Sequence, residues 1–145
     1  MALSQKNPYN QYKKTEINTA NQGTLIVMLY DGAIKFLNIA LENVGSMKTY
    51  DIVNNNILKV QDIVTELLLA LNMKDGGEIS ENLFNLYMYF KRRLLDANIQ
   101  KNPEVLKEII KHMKELRDVW DKISSSEPPS DSLSMIGKGN FSIEG

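Results

Sequence analysis

The sequence predicts an all-α fold: an antiparallel four-helix bundle with a short N-terminal arm and a flexible C-terminal tail. Three observations carry that expectation. No segment alternates apolar and polar residues with period two over a useful length, so no strand is expected. Four stretches of helical periodicity and similar length are divided by short runs with helix-stop and helix-start chemistry, and short connections make consecutive helices antiparallel. A chain of 145 residues suffices for one core, and 43% apolar with 24% charged residues is an ordinary globular balance.

Residues 1–20 form the arm, a polar stretch holding Pro8, Tyr9 and Tyr12. Tyrosines there suit an apolar surface, with the ring lying down and the hydroxyl in water. The bundle domain covers residues 21–124. Its first helix starts after Asn21, an N-cap type residue, and runs to about Gly45. It is apolar on nearly every side, with Asp31, Lys35, Asn38 and Glu42 as a narrow polar edge, so it must be covered from more than one direction. The second helix runs from Tyr50 to Met73 and stops at Asp75-Gly76-Gly77; the third covers Ser80 to Gln100. Asn102-Pro103-Glu104 supplies a cap, a first-turn proline and an acid at the positive end of the dipole, which starts a fourth helix ending near Ser124. The tail, residues 125–145, opens with the turn and disorder composition of Ser124 to Ser132.

The faces of these helices differ. The fourth has one apolar stripe, Leu106, Ile109, Met113, Leu116, Trp120 and Ile123, with Val105 beside it. The second has a seam at Val53, Ile57, Val60, Val64, Leu67, Leu68 and Leu71, yet Leu58 and Leu69 fall almost opposite it at ~100° per residue. The third has Leu83, Tyr87, Phe90, Leu94 and Ala97 as its seam and a second stripe of Phe84, Met88, Leu95 and Ile99. Leu58, Leu69, Phe84, Met88 and Leu95 are therefore expected to line a partner-binding groove, and Tyr9 and Tyr12 of the arm to dock on apolar surface of the bundle. Cover by neighbouring helices, by the arm or by the Leu133 to Ile143 tail is the alternative for the same surface.

Other classes find little support. A net charge of −1, from 17 basic and 18 acidic residues, gives no field for nucleic acid, and the run Lys91-Arg92-Arg93 fans around a helix as solvated side chains. Without cysteine there is no thiolate nucleophile or cysteine metal cluster, and the single histidine, His112, lies in no Glu-x-x-His motif. No catalytic residue, metal site or cofactor is expected. The start lacks the apolar core of a signal peptide and no apolar run approaches the length of a membrane span, so a cytoplasmic protein without membrane insertion is expected.

Asn7-Pro8-Tyr9 with Tyr12, Thr19-Ala20, Met28-Leu29-Tyr30-Asp31-Gly32-Ala33, Leu71-Asn72, Gly76-Gly77-Glu78-Ile79 with Asn82-Leu83, Leu86-Tyr87, Arg92-Arg93-Leu94, Ala97-Asn98, Leu116-Arg117 and Trp120 occur in order along nearly the whole domain. In that ordered set the chain resembles the FliS family, cytoplasmic flagellar secretion chaperones specific for flagellin. It departs from the family at Asn21-Gln22-Gly23, where Ser-Pro and an acid or glycine are usual. The resemblance implies a helical bundle that binds the disordered C-terminal segment of flagellin, blocks premature polymerisation and presents the cargo to the export gate. It further implies that the arm, with Tyr9 and Tyr12, lies over part of the groove and moves aside. The rival class is a structural or signalling adaptor that homodimerises through the same stripes.

Overall fold

The structure, a computed structural model, describes residues 22–74 and 76–126. Four long helices follow one another: α1 Gln22–Asn43, α2 Tyr50–Leu69, α3 Gly77–Gln100 and α4 Pro103–Ser126. A one-turn 3-10 helix, Met47–Thr49, leads into α2. There is no strand among the described residues. α1 packs along both α2 and α4, while α3 closes the ring by packing on the same two helices. The fold is the expected all-α four-helix bundle.

The expected seams make the core. Val53, Ile57, Val60, Val64 and Leu67 of α2, all five seam residues of α3, and Leu106, Ile109, Met113, Leu116 and Trp120 of α4 are buried. From α1 come Leu25, Leu29, Tyr30, Ala33, Leu37 and Ala40. The phenols of Tyr30 and Tyr87 meet across the bundle at 2.7 Å, tying α1 to the helix diagonal to it. Burial pushes both well above the ordinary tyrosine range, so each stays a neutral hydrogen-bonding group. Gly32 permits the close approach of α1 to α2, since a Cβ there would lie 3.3 Å from Ile63 Cδ1.

α1 overturns one expectation. By length and composition Gln22–Asn43 is a helix that could cross a membrane, although no run was expected to approach that length. The reason lies in its place in the ring. Two flanking helices claim its surface, so only a narrow edge is left for charge, and its buried residues point into both interfaces.

Helix ends differ from expectation by a few residues. α2 stops at Leu69, four residues before Met73, where the ladder tightens: the Ala70 amide is shared between the Glu66 and Leu67 carbonyls and the Leu71 amide bonds the Leu68 carbonyl. The Asn72 carbonyl then accepts from the Gly76 amide at 2.7 Å and from Ser80 Oγ at 2.9 Å, so Ser80 ties the loop to the first turn of α3 and does not begin the helix. Gly77, at φ +56°, occupies the left-handed region open to glycine, and α3 starts there. Ser46 Oγ accepts from the Lys48 amide to start the 3-10 turn. Asn102 Oδ1 accepts from the Glu104 amide, as its expected capping role requires. α4 continues to Ser126, two residues past its expected end.

Candidate functional site

Gln61 Nε2 of α2 donates to the Lys91 carbonyl of α3 at 3.1 Å, and the Lys101 ammonium lies over the Tyr50 ring at 4.9 Å. These contacts set the antiparallel register of the two helices: Leu58 lies level with Leu95, and Leu69 level with Phe84. The Gln61 contact also marks which side of α3 faces α2, while the Arg93 contact with Glu108 marks the side facing α4. On a wheel at ~100° per residue, Phe84, Met88 and Leu95 lean outward on the α2 side, and Leu58 and Leu69 lean outward on the α3 side. Two apolar stripes thus flank one helix junction.

Solvent reaches most of them. Leu69 is 73% exposed, Leu58 57%, Leu95 55% and Phe84 40%, and Met88 is half-buried. Ile99, already part of the second stripe, prolongs the surface at one end and is exposed, as is Met73 in the loop after α2. Met73 was expected inside a longer α2, and the early helix stop leaves it in the loop. At 1.5 Å per residue the α2 stripe is ~16 Å long and the α3 stripe ~22 Å, room for roughly three to four turns of a guest helix. Exposed Asp62, with half-buried Lys91, gives the junction a polar rim. Tyr9 and Tyr12 lie outside the described residues.

The opposite edge of α3 is chemically different. Glu108 of α4 accepts from Tyr89 Oη and, at 2.9 Å, from Arg93 Nη2. Burial would raise its carboxyl, but the two donors outweigh burial and hold it below the ordinary value, while the same bonds raise Tyr89 and Arg93. Arg92 lies over the Tyr89 ring at 6.0 Å. The basic run is therefore only partly the solvated set expected. His112 packs by the Phe90 ring, with Glu108 and Glu115 oxygens 3.9 and 3.7 Å from its nitrogens. On the far side of the bundle, Arg117 donates to Asp31 at 2.8 Å. No group of three or more metal-ligating side chains occurs among the described residues.

The family model described as "Flagellar protein FliS" matches residues 5–127. The chain belongs to the FliS family. The flagellar secretion chaperone FliS of Bacillus subtilis (strain 168) is 34% identical over 122 residues, which cover 84% of this chain and 90% of the relative. The flagellar secretion chaperone FliSB of Pseudomonas aeruginosa is 32% identical over 85% of this chain and 98% of its own length. FliS of Vibrio cholerae serotype O1 is 30% identical over 77% of this chain and 85% of its own length. The resemblance read from the ordered motifs is thus to the family found, a family of chaperones and not of enzymes.

Proposed function

We propose that the chain is a cytoplasmic flagellar export chaperone that holds the disordered C-terminal segment of flagellin in the α2/α3 groove. The observation that carries this reading is the pair of exposed apolar stripes, in register across one helix junction, in a chain whose relatives are named flagellar secretion chaperones. A disordered cargo loses conformational freedom on binding and needs a large apolar area in return, which a helix laid in a groove provides. Held there, the segment is withheld from polymerisation and reaches the export gate unfolded. The arm, through Tyr9 and Tyr12, serves as a movable cap on part of the groove. No nucleotide, metal or other cofactor enters the mechanism.

Calorimetric titration with a peptide of the flagellin C-terminal segment tests the proposal. A chaperone forms a stoichiometric complex and gains helical signal from the peptide. A chain that ignores the peptide and self-associates through the same stripes would instead be a homodimeric adaptor.

A further inference from the structure

The apolar surface at the α2/α3 junction is interrupted, and on both helices at the same level. Leu58 and Leu69 on α2 are eleven residues apart, and so are Phe84 and Leu95 on α3. Eleven residues make three turns of an α-helix, so the second member of each pair returns to the line of the first, ~16 Å farther along. With the helices antiparallel and in register, the four side chains form two seats: Leu69 with Phe84, and Leu58 with Leu95. Half-buried Met88 adjoins the first seat and exposed Ile99 the second.

Between the seats the outward positions are polar. They hold exposed Asp62 and half-buried Thr65 on α2, and half-buried Lys91 on α3. The contact from Gln61 to the Lys91 carbonyl sets Asp62 level with Lys91, midway between the seats. Thr65 is already engaged, because its hydroxyl donates to the Gln61 carbonyl at 3.1 Å. The two charges are not. Neither Asp62 nor the Lys91 ammonium enters an ion pair among the described residues, with the other or with a third group.

This pattern discriminates between guests. A helix with one unbroken apolar stripe would press apolar side chains onto Asp62 and Lys91 and strip their water without replacing it, which costs free energy. A helix whose stripe is broken at that level keeps both charges hydrated, and one with opposite charges there pairs them. We propose that the groove is bipartite and selects a guest helix whose apolar residues form two clusters centred eleven residues apart, with a base and an acid on its flanks between them to meet Asp62 and Lys91. The proposal rests on the groove reading above and adds the chemistry of the partner.

Two designed peptides test the spacing without altering the chain. Both are alanine-based helices of one composition, with two leucine pairs on one face and a lysine and a glutamate between them. In one the pairs are centred eleven residues apart and in the other seven, which keeps the face but falls ~6 Å short of the second seat. Calorimetric titration should find the eleven-spaced peptide at least ~10-fold tighter. Equal affinities, or binding of neither peptide, overturn the proposal; so does self-association of the chain that blocks the peptide, which would make the occupant a second copy. The belt is tested by Asp62→Lys with Lys91→Asp. At low salt this variant should bind the eleven-spaced peptide ~3–10-fold more weakly, and exchanging the lysine and glutamate of the peptide should restore the affinity. A loss that the exchanged peptide does not recover overturns the charge match.

The flagellin segment is read separately. Leu58→Ala with Leu95→Ala, and Leu69→Ala with Phe84→Ala, should each weaken its binding by ~10-fold or more. Binding that neither pair weakens overturns the bipartite groove while leaving the chaperone reading intact. If the spaced peptide binds and the flagellin segment does not, the flagellin reading fails and the two seats stand.

Discussion

α3 and α4 are each 24 residues long and each contributes one wall of the same core, yet they spend their outer faces differently. Away from the core α4 shows Lys107, Lys111, Lys114, Asp118, Asp121 and Lys122 to water. α3 shows Phe84, Leu95 and Ile99. One apolar stripe is enough to hold a helix in this bundle, as α4 demonstrates, so the second stripe of α3 is surplus to folding. Surplus apolar surface repeated along one line, and matched by Leu58 and Leu69 on the neighbouring helix, is what a docking site requires.

The sharpest way to break that contrast uses adjacent residues. Leu94 is fully buried and Leu95 is more than half exposed. Leu94→Asp must bury a carboxylate among apolar side chains, which costs about 4 kcal/mol or more, a large part of a small domain's stability. We expect loss of the cooperative melt by circular dichroism. Leu95→Asp should shift the midpoint by no more than a few degrees. Equal damage from both would mean that the second stripe belongs to the core after all.

Next in size is the groove itself. Leu69→Asp with Phe84→Asp should keep the helical spectrum and the melt, but weaken binding of the flagellin segment by ~100-fold, about 2.7 kcal/mol. Retained affinity in a folded double variant would move the cargo to another face.

A smaller effect is expected inside the core. Tyr30→Phe removes one partner from the buried phenol pair and leaves Tyr87 with an orphaned hydroxyl, costing about 1–3 kcal/mol. Changing both to Phe removes the orphan too, so the double variant should be no less stable than the sum of the singles and closer to the parent. Strict additivity in a double-mutant cycle would show that the hydroxyls do not couple α1 to α3.

Much of this was legible in the residues because helical period and apolar placement act over many turns at once. The α3 seam Leu83, Tyr87, Phe90, Leu94 and Ala97 is buried as the wheel requires, and so is the two-sided character of α1. What was not legible is polar or local. Asn56 lies buried in the α2 seam because its amide turns back to the Ile52 carbonyl at 2.8 Å, a satisfaction that a hydrophobic pattern cannot register. Ser80 is buried for a similar reason, its hydroxyl held by Asn72 across the loop. The loop before α3 is equally illegible: an added Cβ at Gly76 would lie 1.8 Å from Ser80 Oγ and 2.4 Å from the Asn72 carbonyl, a packing constraint between residues eight apart in sequence. Ile63 and Ile110 are buried at the margins of their seams, where the breadth of the interface and not the periodicity decides.

The smallest expected effect returns to the two edges of α3. Its α2 edge is apolar and open, whereas its α4 edge is closed by Tyr89, Arg93 and Glu108, with Asp96, His112 and Glu115 around them. Because the Glu108 carboxyl is held below its ordinary value in the fold, it stabilises the folded state fully only above the unfolded value of about 4.3, and that contribution is lost as pH falls toward the folded value. The site is partly solvated, so screening keeps the contribution below about 1 kcal/mol. Glu108→Gln should therefore cost a few tenths of a kcal/mol near pH 7, and the gap between variant and parent should close as the medium is acidified below about pH 4. Denaturant melts of both chains across that range measure it. A gap that does not change with pH would assign the loss to packing of the longer Tyr89 and Arg93 side chains. The α4 edge would then be closed by shape, as the core is, and charge would matter only on the outer faces.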